Sequence, residues 1–170
     1  MFLERTGLVG RTRPQVRLAG HWRHTSAVGD LVTSLYAAGR PEYRSGRDDP
    51  APGVPSITAV MDRLALGGLD QVVELRPSEG WVLAQGRCRL DGLRAFLAER
   101  GLALAPGVRL ADDPGRARRR GCGTVGAGVI GGVVDACWAD VLTKDGRLGR
   151  HAAALPPDAL VVAAALRLSP

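Results

Sequence analysis

The chain has 170 residues, 45% of them hydrophobic, and its 23 Lys and Arg outnumber 17 Asp and Glu to give a formal net charge of +6. This size suits one domain or two small lobes, and three cysteines without CxxC spacing disfavour a disulfide framework and a zinc site, so no metal is expected. No apolar run approaches the roughly 20 residues that span a bilayer and the start lacks the order of a secretory signal, which predicts a cytoplasmic protein that does not bind membranes.

The predicted elements begin with a helix near the N-terminus. Ser26 is placed to cap this helix, Gly39 and Pro41 end it, and it is expected to back a small sheet. The apolar residues at helical spacing are Val28, Leu31, Val32, Leu35 and Tyr36. Strands 42–45 and 57–61, separated by a loop rich in Asp and Pro, complete this small first lobe.

A second lobe opens with a predicted β-hairpin. Its strands, 71–75 and 81–88, are joined by a turn that ends at Gly80, and Asp91 is expected to cap the next helix, which ends near Gly101. Further strands are predicted at 133–143, 148–152 and 160–168. The last is a nearly continuous apolar run, which favours a strand covered on both faces. The pattern predicts an α+β fold made of an N-terminal segment (1–24), a small lobe (25–70) and a larger lobe (71–170).

Two histidines flank a tryptophan just before the predicted first helix, in the run His21, Trp22, Arg23, His24. The imidazoles are suited to acid–base chemistry near neutral pH. The favoured interpretation is that this is an N-terminal segment packed on the sheet, with Trp22 as its anchor.

Residues 122–132 contain five glycines in eleven positions, which predicts a loop made for close backbone approach to a ligand or to another chain segment. The segment reads C-x-T-V-G-x-G and is followed by a V-D-A strand and a tight Asp145-Gly146 turn. Upstream, Arg44, Ser45 and Gly46 match the first part of an R-S-G-G-H-D pattern. Together these motifs resemble the flavin-binding domain of berberine bridge enzyme-like oxidases, in the vanillyl-alcohol oxidase superfamily.

The resemblance covers roughly residues 25–170 and implies a two-lobed, PCMH-type FAD-binding fold, here without the family's substrate domain. The positions it assigns to the cofactor are Ser45, Gly46, Cys122, Thr124, Val125, Gly126 and Gly128. The chain departs from the family where Arg47 replaces a glycine and Asp48 replaces the histidine that often bonds to flavin, and the family's covering loops are absent. FAD is therefore expected to bind weakly or not at all. Cys122 is expected to be a buried thiol, because a second covalent bond to flavin needs the histidine that Asp48 replaces.

The departures from the family are concentrated at the positions that would bind the cofactor. This favours a cofactor-independent enzyme that reuses the vacated flavin cleft, namely a cyclase or isomerase of secondary metabolism that acts on a hydrophobic small molecule. Arg44 would hold an anionic or carbonyl group, with Asp48 as acid or base and Asp49 beside it, unless the two acids only form a turn. Trp138 and Cys137 are neighbours on a predicted strand, so one is expected to face the core and the other the opposite surface. The indole of Trp138 would form a wall of the pocket beside the glycine loop.

Two other functions stay open: a noncovalent FAD-dependent oxidoreductase, and a noncatalytic partner subunit. Four arginines are clustered in one short segment: Arg116, Arg118, Arg119 and Arg120. The favoured interpretation of this cluster is a solvated loop, and the alternative is a surface that docks an acidic carrier protein. Only three Trp, two Tyr and two Phe occur in the chain and none interleaves with this cluster, which disfavours nucleic acid. Without the substrate domain, part of the sheet would be exposed, and a second copy of the chain is expected to be able to cover it in a homodimer.

Overall fold

The computed structural model describes residues 15–37, 69–107, 123–143, 146–152, 155–156 and 159–170. Its elements in chain order are α1 (His21–Ala37), β1 (Val72–Arg76), β2 (Trp81–Gln85), α2 (Leu90–Ala98), α3 (Val125–Ile130), β3 (Ala136–Leu142), β4 (Leu148–His151) and β5 (Leu160–Arg167). The predicted α+β class is confirmed. The predicted strands 42–45 and 57–61 and the arginine cluster at 116–120 lie outside the described residues, and the domain boundaries stay a prediction.

The five strands form one antiparallel sheet in the order β1-β2-β5-β3-β4. β5 lies at its centre, and every residue from Val161 to Leu166 is buried. The prediction that this apolar run forms a strand covered on both faces is therefore confirmed. Small alanines occupy three consecutive positions, 163–165, so the helices and side chains on both faces can approach the strand closely.

The predicted hairpin is also confirmed. β1 and β2 are joined by a 3₁₀ turn at Pro77–Glu79, and Gly80 closes it with φ 75°, a conformation that glycine adopts without strain. Trp81 begins β2 and donates its indole N–H to Glu79 Oε2 at 3.0 Å.

One side of the sheet, the first face, is covered by α2 and α3. Residues of the strands that point to it include Val82, Ala84, Ala139, Ala164 and Leu166. They pack against Leu93 and Leu97 of α2 and Val125 and Val129 of α3. α2 begins at Leu90, so the prediction that Asp91 caps it was wrong; that carboxylate instead accepts hydrogen bonds from the amide of Gly92 and the guanidinium of Arg89.

The opposite side of the sheet, the second face, carries α1. Val28 and Leu31, both predicted to be core residues, pack on Leu69, Leu142 and Val162. In the structure, therefore, α1 backs the five-stranded sheet.

α1 starts at His21, before the predicted cap. Ser26 lies inside the helix and donates its hydroxyl to the carbonyl of Trp22 at 3.0 Å, so its assignment as the N-cap was wrong. Trp22 is 66% exposed and is not the anchor either. No helix in the described part of the chain is both long and apolar enough to cross a membrane.

Candidate functional site

The glycine-rich segment forms a short helix rather than the predicted loop. Thr124 precedes α3, and its hydroxyl accepts a hydrogen bond from the Ala127 amide at 3.4 Å. The amides of Val125 and Gly126 donate to the carbonyls of Cys88 and Gly86, each at 2.8 Å. The start of α3 is thus tied to the chain that follows β2, and these two amides are already engaged within the protein.

The glycines of α3 are explained by packing. A Cβ atom on Gly126 would lie 3.1 Å from the carbonyl oxygen of Gly86 and 3.3 Å from the Cβ of Val161, and one on Gly128 would lie 2.9 Å from a methyl group of Leu90. Side chains at these positions would push the helix away from the sheet and from α2. The sequence predicted that these glycines allow close approach of either a ligand or another chain segment. In the structure they allow close approach of another chain segment, and a flavin contact at these residues stays a prediction.

Trp138 does not lie beside this segment. A β-bulge interrupts β3, because Ala136 pairs with Leu166 while Trp138 pairs with Ala165. Cys137 and Trp138 consequently both pack against one cluster on the second face, made of Val73, Leu83, Ala163 and Ala165. The expected alternation was therefore wrong, and the sheet itself separates Trp138 from α3.

Polar side chains are instead gathered on the second face, in a row across four strands. Gln85 pairs with Ala163, which pairs with Asp140, which in turn pairs with Arg150. Neighbouring strands are about 4.8 Å apart, so the backbones of Gln85 and Asp140 are separated by roughly 10 Å, and Ala163 lies between them in the row. The next row places Ala165 between Leu83 and Trp138 in the same way.

Arg150 joins the polar row to the aromatic residue. Its Nε and one terminal nitrogen donate to the two carboxylate oxygens of Asp140 at 2.8 and 3.1 Å, a bidentate pair. The same guanidinium lies 3.6 Å from the centre of the Trp138 ring. The side chain of Asp140 is 18% exposed and that of Arg150 is 60% exposed, so the pair reaches the surface.

His24 completes the group from above the sheet. It is 7% exposed, and its Nδ1 lies 3.1 Å from Nε2 of Gln85. Burial lowers the pKa of His24, the carboxylate of Asp140 opposes this effect, and His21 adds to it. The imidazole is consequently neutral at pH 7, and it is His24 rather than Trp22 that fixes the start of α1 to the sheet.

The site predicted from the sequence is only partly visible. Six of its residues, Arg44, Ser45, Gly46, Asp48, Asp49 and Cys122, lie outside the described residues. Within the described ranges, no three His, Cys, Asp or Glu side chains are placed to hold a metal ion. Sequence reasoning singled out His24 as a candidate but missed Gln85, Asp140 and Arg150. A charged residue inside the apolar run of β3 was the available signal for Asp140.

No protein-family model matches this chain, and no curated protein is significantly similar to it. The resemblance to flavin-binding domains therefore rests on the motifs in the sequence alone.

Proposed function

We propose that the chain is a cofactor-independent, cytoplasmic enzyme, a cyclase or isomerase acting on a hydrophobic small molecule, built on a scaffold that resembles a flavin-binding domain. The observation that supports this most is the set of residues on the second face: the Asp140–Arg150 pair, the Trp138 ring whose centre lies 3.6 Å from that guanidinium, and His24, whose pKa the Asp140 carboxylate raises against the effect of burial.

These side chains have the chemistry that proton-transfer reactions need. A neutral imidazole can donate its N–H to the carbonyl oxygen next to the carbon that loses a proton, and a guanidinium polarises a carbonyl group. The indole of Trp138 offers an aromatic surface to an apolar substrate. None of these roles needs a redox cofactor.

Arg44, Asp48 and Asp49 remain part of the proposal. They follow α1 in the chain, and α1 is the helix that carries His24. In this proposal Arg44 holds an anionic or carbonyl group of the substrate, Asp48 is an acid or base, and the second-face group supplies the other polar contacts.

A hydrogen-exchange assay tests the proposed proton transfer without knowledge of the product. The purified protein is incubated in D₂O with a panel of aryl ketones and β-diketones, and deuterium uptake at carbon is followed by NMR. We expect catalysed exchange in at least one compound, with a loss of about 10²-fold or more in His24→Gln and Asp140→Asn. His151→Gln is the matched control and should retain the rate.

A second measurement separates this proposal from a flavoenzyme. The purified protein should lack the absorbance band of oxidised flavin near about 450 nm, and FAD titration should give no submicromolar binding. A yellow preparation that binds FAD tightly would favour the oxidoreductase, and exchange rates that are the same in wild type and His24→Gln would contradict the second-face site.

A further inference from the structure

The contact between His24 and Gln85 joins two distant parts of the chain, and its hydrogen-bond direction is fixed by a third residue. The backbone amide of Gln71 donates to Oε1 of Gln85 at 2.9 Å, and the backbone amide of Gln85 donates to the carbonyl of Gln71, also at 2.9 Å. Because the side-chain oxygen of Gln85 must face that donor, its NH₂ group faces His24.

This orientation determines where the imidazole proton lies. An NH₂ group only donates, so Nδ1 of His24 must accept, and the neutral ring must carry its hydrogen on Nε2. A second proton would have to be added at Nδ1. It would then point at the NH₂ group of Gln85, and the hydrogen bond would be replaced by a contact between two donors.

We propose that this contact is a pH-sensitive latch, in which the neutral Nε2–H form of His24 holds the start of α1 on the second face and protonation of the ring releases it. The latch does not depend on the chain being an enzyme. Leu31, which lies about two turns further along α1 and is fully buried, keeps the rest of the helix in place.

The surrounding charges do not offset the loss of the hydrogen bond. Burial lowers the pKa of His24, and His21, on the preceding turn of α1, lowers it further. Asp140 of β3 raises it, but that carboxylate is already bound bidentately by Arg150 of β4. On the β1 side, Asp70 accepts a hydrogen bond from the side chain of Gln71.

The sign of the pH dependence follows from these contacts. The folded protein binds the proton at His24 more weakly than the unfolded chain does, so docking of α1 is complete above the ordinary histidine pKa. It is lost as the pH falls through the lowered pKa of the folded state. The release is reversible, since it needs no change other than one proton.

NMR of the ¹⁵N-labelled protein tests the latch. Long-range ¹H–¹⁵N spectra should show a protonated Nε2 and an unprotonated Nδ1 for His24, with a titration midpoint below the ordinary value. The backbone amide signals of the first two turns of α1 should shift with the same midpoint. In His151→Asn, a histidine remote from this contact, both midpoints should be unchanged.

Two substitutions give opposite results. His24→Asn replaces Nδ1 by an amide oxygen that still accepts but does not titrate, so the signals of α1 should lose the transition that has the His24 midpoint. Gln85→Glu keeps the bond to the Gln71 amide and gives Nδ1–H a carboxylate acceptor, so the His24 midpoint should move above its ordinary value. A proton on Nδ1 in the wild type, or an α1 transition at the His24 midpoint that persists in His24→Asn, would overturn the latch.

Discussion

Gly86→Ala should force residue 86 away from β5 and destabilise the protein by about 4 kcal/mol or more, an effect at the upper end for single substitutions. The added Cβ would lie 1.8 Å from the carbonyl oxygen and 2.8 Å from the carbonyl carbon of Val161, which are backbone atoms of the central strand. Gly86 cannot move aside, because its amide donates to Val162 at 2.7 Å and its carbonyl accepts from Gly126 at 2.8 Å. Urea unfolding followed by circular dichroism measures the loss.

Gly123→Ala is the matched control for this substitution. No atom lies within 4 Å of a Cβ added there, and the residue is exposed, so its free energy of unfolding should change by less than about 0.5 kcal/mol. If the two variants unfolded at the same urea concentration, the close approach of residue 86 to β5 would be wrong.

Leu31→Ala should lower the free energy of unfolding by about 2–5 kcal/mol. Leu31 has no exposed surface and packs between Leu69, Leu142 and Val162, so truncation leaves a cavity beneath α1. Trp22→Ala removes a larger side chain from the same helix, but one that is 66% exposed, and should cost less than about 1 kcal/mol.

Thermal and urea unfolding of these two variants tests how α1 is attached. The ranking is the informative result, because side-chain size and hydrophobicity alone would place Trp22 above Leu31. A larger loss in Trp22→Ala would contradict the docking of α1 on the second face and would restore the tryptophan as the anchor.

Elements defined by local signals could be predicted from the sequence. The turn at Gly80 and the apolar run of β5 each depend on residues close together in the chain, and both predictions were confirmed. The start of α1 was misplaced because serine is a residue type that often caps helices. A serine within a helix can instead donate its hydroxyl to a carbonyl of the preceding turn, as Ser26 does.

The candidate site depends on information that periodicity does not contain. A β-bulge puts Trp138 on the second face, and no alternating pattern indicates where an extra residue is inserted. His24 and Gln85 are 61 positions apart, so their contact follows only from the docking of α1. The glycines of α3 fit either a ligand or a packed helix, and only coordinates distinguish these causes.

The central position of β5 has a consequence for how the chain acquires its structure during synthesis. The hairpins β1–β2 and β3–β4 both precede residues 160–167 in the chain, yet in the described sheet β5 is the strand that joins them. Until it inserts, β2 and β3 each present an unpaired edge, the kind of surface through which nascent chains associate with one another. Closure of the sheet is thus a late, non-local step, and a ribosome-bound chain that lacks β5 is the species most in need of a chaperone.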